Sequence, residues 1–242
     1  MRLIPIWVLL FCYSLTFAVR TVDVIPLSSE PHHHLLFHND YVNVYQVQVA
    51  PHDSVLLHRH DFDAISVMLS DAQVTVYTPG QPEARRKLTA GQIRLQSRGY
   101  VHSTAIEGDT PYRNVTVELL LPQDGEHNGC SEVIPGKPLN CPATKAAAGN
   151  TSTDQAEFES DQTTVNLVRV FAHQDIALGH PKCPQLVVTL DPDLATEADT
   201  ESTGRSLAPG QFVWLEGAKA PKSLRNNDDQ EARIVVFTFR PQ

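Results

Sequence analysis

HRHDFDAISVML (58–69), followed by GQIRLQSRGYVH (91–102), is the stretch on which the reading of this chain turns. On an extended strand successive side chains alternate faces, so His58 and His60 point the same way with roughly 7 Å between their Cα atoms. Two imidazoles can then converge on one ion. His102, at the end of a later strand-and-turn unit, is the natural third ligand. Three neutral imidazoles leave coordination positions open to water or substrate, an arrangement that suits Fe, Zn, Mn, Ni or Cu in different degrees. The chain has eleven histidines, and an HxH pair on a strand is equally what two solvated histidines look like, so the surrounding pattern has to decide.

That pattern is β throughout. YVNVYQVQV (41–49), AISVML (64–69), QVTVY (73–77), QIRLQ (92–96) and NVTVELLL (114–121) alternate apolar and polar residues or run β-branched, and turn chemistry such as TPGQP separates them. The spacing predicts an all-β sandwich or barrel. From 122 to 164 the residues become small, polar and turn-forming, which predicts a linker or long loop. Strands resume with VNLVRVF (165–171), LVVTL (186–190), QFVWL (211–215) and RIVVFTF (233–239). LTAGQIRL (88–95) has a counterpart in LAPGQFVW (207–214), and each is followed at nearly the same distance by an arginine-led strand, at Arg113 and Arg233. A repeated unit accounts for both.

The paired stretches resemble the two motifs of the cupin superfamily, G-x5-H-x-H-x3,4-E-x6-G and G-x5-P-x-G-x2-H-x3-N. His58 and His60 fall on the histidines of the first motif; Gly91, Gly99 and His102 fall on the glycines and histidine of the second. The motif resemblance covers about 52–106, and the strand pattern extends it to about 36–121. It implies an antiparallel β-barrel of jelly-roll form with a metal held by the histidines and a carboxylate. Together with the repeat and the composition, it divides the chain into a leader at 1–18, a metal-binding cupin-type barrel over 19–121, the linker at 122–164 and a second, degenerate cupin-type barrel over 165–242. It also implies a single divalent transition metal and a small-molecule ligand or substrate, with Fe(II)-dependent oxygen chemistry or isomerisation as the reaction class. A noncatalytic ligand-binding barrel and a structural dimerisation module are the rival readings, since cupin barrels often pair through edge strands.

Several positions depart from the motifs. His52 stands where the first motif begins with Gly, Ala64 where it has Glu, Asp71 where it closes with Gly, Ser97 where the second motif has Pro, and Ile106 where it ends in Asn. Alternation puts Phe62 and Ala64 on the face of the two histidines, so Asp63 points outward unless a bulge shifts the register. The expectation is a three-histidine site with Asp63 as a weaker fourth ligand. The second half lacks the chemistry: the position of His102 lands near Pro221 and Lys222, and only His180, close to Cys183, represents the HxH region.

Composition narrows the classes further. A net charge of −9 with no clustered Lys/Arg stripe argues against a nucleic-acid partner. Arg2 ahead of the apolar run from Leu3 to Phe17, closed by Ala18, has the layout of a secretory leader, and no other long apolar stretch follows. Export, secreted or periplasmic, is therefore expected, with no membrane association once the leader is removed. Cys130 and Cys141 bracket a short stretch that a disulfide could close. Asn114 and Asn150 both satisfy the N-glycosylation pattern, Asn114 within a predicted strand. The histidines of PHHHLLFH (31–38) read as a surface cluster, and Tyr100 and Arg98 as a structural and a solvated residue.

Overall fold

The computed structural model describes residues 23–123, 152–178, 182–192, 194–196, 205–217, 221 and 223–241. The expected leader, Cys130, Cys141, Asn150, His180 and Lys222 lie outside these residues. Apart from one short 3-10 turn, Leu27–Ser29, the regular elements are strands. No described helix is long and apolar enough to cross a membrane.

The first half contributes β1 (Ile25–Pro26), β2 (His33–His38), β3 (Val42–Val49), β4 (His58–Arg59), β5 (Asp63–Met68), β6 (Ala72–Tyr77), β7 (Ala84–Leu88), β8 (Ile93–Gln96), β9 (Val101–Ile106) and β10 (Tyr112–Leu119). They form two five-stranded sheets, β2-β3-β10-β5-β8 and β1-β4-β9-β6-β7. Every pairing is antiparallel except the short β1–β4 contact. The second half contributes β11 (Ser152–Glu159), β12 (Thr163–Val170), β13 (Asp175–Ala177), β14 (Gln185–Thr189), β15 (Leu194–Thr196), β16 (Ser206–Leu207), β17 (Phe212–Leu215), β18 (Ser223–Asn226) and β19 (Ala232–Phe239). Its sheets are β11-β12-β19-β14-β17 and β13-β18-β15-β16. The fold is thus all-β, two jelly-roll units in one chain, as the strand pattern predicts.

One boundary differs from the sequence reading. β11 occupies residues inside the stretch expected to be a linker and runs antiparallel to β12. Its letters, STDQAEFE, are almost all polar, and the strand is held instead by the ladder and by Phe158, which is fully buried among residues of both halves. A register shift between Ala156 and Phe158 leaves Glu157 as the extra residue of a bulge.

Alternation on the large sheet of the first half decides what faces what. Ile65 and Val67 on β5, Leu95 on β8, and Val115 and Val117 on β10 share one face, where they pack with Phe158, Val165, Leu186, Val188, Val235 and Phe237 of the second half. The large sheets of the two halves therefore meet back to back through a common apolar layer. Tyr41 and Phe37 extend that layer against Trp214, with ring centroids 5.8 and 5.7 Å apart. Residues of opposite parity, Ser66, Gln96, Asn114 and Thr116, turn into the first unit instead.

The halves repeat each other's hydrogen bonding. Gly91 N–H donates to Met68 O and Gly210 N–H to Thr189 O, both glycines having positive φ (86° and 83°). Leu69 N–H donates to Arg113 O as Leu190 N–H does to Arg233 O. His52, which stands where the motif has Gly, keeps the left-handed backbone (φ 63°), and so does its counterpart His173 (φ 56°). Each ring reaches the equivalent aspartate: His52 Nε2 lies 3.0 Å from Asp109 and His173 Nε2 2.8 Å from Asp229. In this register Ser66, Gln96, Asn114 and Thr116 correspond to Val187, Leu215, Ile234 and Val236. The interior of the second unit is an apolar cluster built on Val187, Leu215 and Ile234, so the polar pocket of the first has no counterpart there.

Candidate metal centre

Strand β4 brings the first two histidines into place. His58 pairs directly with His102 across the β4–β9 ladder. The ladder continues past the strand ends, with His60 N–H donating to Tyr100 O and Gly99 N–H to His60 O. Gly99, at φ 82°, makes the tight return that carries the chain from β8 into β9. His58, His60 and His102 each present a ring nitrogen within 4.8 Å of the others, and all three side chains are buried. His60 Nε2 and His102 Nε2 are 3.0 Å apart. Two nitrogens each about 2.1 Å from one ion and at right angles to one another are separated by about 3.0 Å.

The tautomer of His58 is fixed by the backbone. Its Nδ1 donates to the Leu56 carbonyl at 2.8 Å, which leaves a lone pair on Nε2. That Nε2 is buried with no hydrogen-bond partner, a costly state for a polar atom unless something else satisfies it. Burial also pushes the His58 ring down to about 4, opposed by its bond to Leu56. Burial and then the neighbouring rings push His60 and His102 well below the ordinary histidine value. Burial therefore favours the neutral form of all three imidazoles, the form in which imidazole binds metal. Donor type, separation, neutrality and the orphaned nitrogen all fit one divalent transition ion.

Asp63 is not brought into this group. It shares the parity of Ile65 and Val67, and its Oδ1 accepts the Arg98 N–H at 2.8 Å, fastening the turn before β9. The inward position, Ala64, faces Glu118 across the ladder, but that carboxylate is held by Asn43 Nδ2 at 2.8 Å and Tyr45 Oη at 3.2 Å. Burial pushes the Glu118 carboxyl up despite both bonds. Among the described residues the gathered ligand set is histidine alone.

The cavity beside the three rings is lined by Ser66, Gln96, Asn114 and Thr116 and by Tyr112 and His33. Ser66 Oγ donates to Gln96 Oε1 at 2.9 Å and lies 3.0 Å from Thr116 Oγ1, which donates to Asn114 Oδ1 at 2.8 Å. Asn114 is 1% exposed on a central strand, so the glycosylation pattern there falls on a buried side chain. About 10 Å³ inside the cavity is open to the centre of a water molecule, room for roughly one water. Tyr100 closes one side by stacking on His102, with centroids 4.6 Å apart and planes 16° apart. It also lines an outer cleft of about 410 Å³ together with Arg86 and Arg98.

His33 is the residue that sequence reasoning left outside the site. It comes from PHHHLLFH, and its ring centroid lies 5.0 Å from that of His58. Its Nδ1 is 2.6 Å from the buried carboxylate of Glu30. The only signal in the sequence is an acid three residues ahead of a histidine just before a strand, and a surface cluster shares it. Cys183 is free and half-buried, and among the described residues it joins no group of metal-binding side chains.

By sequence the chain matches no protein-family profile and no curated protein. By structure it superposes on salicylate 1,2-dioxygenase from Pseudaminobacter salicylatoxidans with a TM-score of 0.62 and 12% identity, covering 89% of this chain and 78% of that one. AerE from Microcystis aeruginosa gives 0.59 and 14%, covering 88% and 99%. A cupin 2 conserved barrel domain protein from Leptotrichia buccalis gives 0.55 and 7%, covering 86% and 88%. Identities this low establish shared architecture.

Proposed function

Since the chain has the cupin fold, we propose that it is an exported metalloprotein in which His58, His60 and His102 hold one divalent transition metal. Its reaction, in this reading, is a metal-dependent dioxygenation or isomerisation of a small oxygen-rich organic molecule. The observation that carries the metal assignment is the convergence of three buried, neutral imidazoles with His58 Nε2 left unpartnered. Salicylate 1,2-dioxygenase, one structure of which holds gentisate, shares the architecture and supports the reaction class. The leader-like residues 1–18 support export.

When bound, the ion supplies Lewis-acid polarisation of a coordinated oxygen and, where it is redox-active iron, electron exchange with O₂. The protein's own part is to orient and to exclude water. The Leu56 carbonyl holds the His58 ring so that Nε2 faces inward. Tyr100 covers His102 and keeps solvent off that side. The hydroxyls and amides of Ser66, Gln96, Asn114 and Thr116 offer donors and acceptors to an oxygen-rich guest.

A second reading, a barrel that binds a small ligand without catalysis, is favoured by a ligand group that is histidine alone among the described residues. Metal analysis of the mature protein, purified without a histidine tag, tests the common premise. Bound metal near one equivalent is expected in the wild type, with loss in His58→Ala and His102→Ala. Unchanged metal in both variants refutes the site. Oxygen uptake by Fe(II)-loaded protein with small catechols, thiols and hydroxybenzoates then separates enzyme from binder, a flat response with tight ligand binding favouring the binder.

A further inference from the structure

We propose that the outer cleft beside Tyr100 is a binding site for a tetrahedral oxyanion, the phosphate or sulfate group of a small molecule, held by Arg98 and Arg86. The site stands apart from the metal reading, because none of its side chains is among the three gathered histidines.

The cleft forms where β6 and β7 meet the turn that carries the chain from β8 into β9. Val76 and Ala84 face each other across the β6–β7 ladder, and alternation puts Arg86 on the same side of β7 as Ala84. The turn supplies Ser97, Arg98 and Tyr100. The space measures about 410 Å³, enough for a small organic molecule. Tyr100 Oη and Thr78 Oγ1 lie 3.3 Å apart on its wall, and each hydroxyl can donate to an oxygen of a guest. Ser97 stands where the second cupin motif has Pro, and a Pro there would bring no hydroxyl to the cleft.

Charge decides the class of guest. Among the described residues no acid lines this cleft, in a chain whose net charge is −9. The neighbouring depression of about 530 Å³, which shares Arg86, is different: Glu107 sits there with Arg85 and Lys87 and balances part of their charge. Arg98 is exposed, and among the described residues its guanidinium forms no ion pair; it lies 6.0 Å from the centroid of the Phe62 ring. Its backbone N–H is fastened by Asp63, so the side chain leaves from an anchored turn. Arg94 adds a third cation within electrostatic reach: it is 5% exposed, burial pushes its guanidinium down, and Arg86 adds a smaller push in the same direction. A guanidinium stays charged and presents forked donors that match the oxygens of a phosphate. Two forks and two hydroxyls offer more donors than the two oxygens of a carboxylate can use, and a dianion gains more than a monoanion from each cation.

Calorimetric titration of the purified protein with inorganic phosphate and with acetate, at neutral pH and low salt, tests the site. The wild type is expected to bind phosphate more tightly than acetate. Arg98→Gln should lose about tenfold in phosphate affinity, the worth of a charge-assisted hydrogen bond in a partly open cleft, and Arg98→Lys, which keeps the charge without the fork, should lose less. Arg85→Gln removes the same charge outside the cleft and should stay within twofold of the wild type. His58→Ala, which removes a proposed metal ligand, should bind phosphate as the wild type does. No phosphate binding by the wild type, no preference over acetate, an affinity unaltered within twofold in Arg98→Gln, or an equal loss in Arg85→Gln overturns the proposal. Loss of phosphate binding in His58→Ala places the anion at the histidines and overturns it as well, while leaving the metal reading standing.

Discussion

Replacing Glu30 with Gln tests how much of the first unit hangs on one buried carboxylate. Burial alone pushes the Glu30 carboxyl up, but the bonds from His33, His32 and Leu56 outweigh it and hold the group at about 2, against an ordinary value of 4.5. A depression of that size corresponds to about 3 kcal/mol of stability at neutral pH, from 1.36 kcal/mol for each unit. The sign follows from the depressed value. The contribution is complete above 4.5, where the unfolded carboxyl is also ionised, and it drains away as pH falls towards 2. By pH 3 about half of it is gone. Glutamine keeps the shape and one acceptor but not the charge. Urea unfolding of metal-free protein, followed by far-UV circular dichroism, should show Glu30→Gln about 3 kcal/mol less stable than wild type at pH 7 and about 1.5 kcal/mol less stable at pH 3. An equal penalty at both pH values would refute the reasoning, because the loss would then come from shape and not from the charge.

Two further outcomes concern the second unit and the contact between units. Glu157, the extra residue of the β11 bulge, is pushed up by burial to about 7, with the Gln155 amide donating to it at 2.7 Å. A raised carboxyl costs stability as pH climbs from 4.5 through 7, so Glu157→Gln should raise the Tm at pH 8.5, where the relief approaches about 3 kcal/mol, and leave it nearly unchanged at pH 3.5, below both values; equal shifts at both would contradict this. Gly210 has φ 83°, and a Cβ there would lie 2.5 Å from Leu69 Cδ1, whereas Gly80, at φ 76°, has nothing within 4 Å of the same position. Gly80→Ala should cost the backbone penalty alone, about 1–2 kcal/mol, and Gly210→Ala measurably more by Tm; matched losses would mean the two units yield freely at that contact.

The sequence made the triad legible because its geometry is local. Alternation places His58 and His60 on one face, and the Gly91–Gly99 spacing delivers His102 opposite His58 through a single hairpin-like return. The same alternation turns Asp63 towards the Arg98 N–H, away from the place of a fourth ligand expected for it. His33 was hidden because its approach to His58 depends on the fold of the N-terminal segment over β4, and a run of histidines carries no periodicity that tells cavity from surface. β11 was hidden for a related reason: its polar letters obscure a strand whose support comes from its neighbour β12 and one buried phenylalanine. The repeat was visible in Leu-x-x-Gly-Gln, but the paired His52–Asp109 and His173–Asp229 contacts join residues about sixty apart and needed the fold to find them.

The back-to-back packing of the two large sheets bears on how such a chain could change over generations. An apolar barrel face that is covered by a tethered neighbour stays covered at any dilution, because the tether sets a local concentration in the millimolar range. The first unit therefore needs no second molecule to shield Ile65, Val67, Val115 and Val117. With that duty assigned to the second unit, its interior is answerable only to packing, and Val187, Leu215 and Ile234 are what such a constraint leaves behind. Mutational tolerance should accordingly differ between the units: interior swaps among aliphatic residues would be borne in the second, while in the first the polar lining around the histidines would resist even isosteric change.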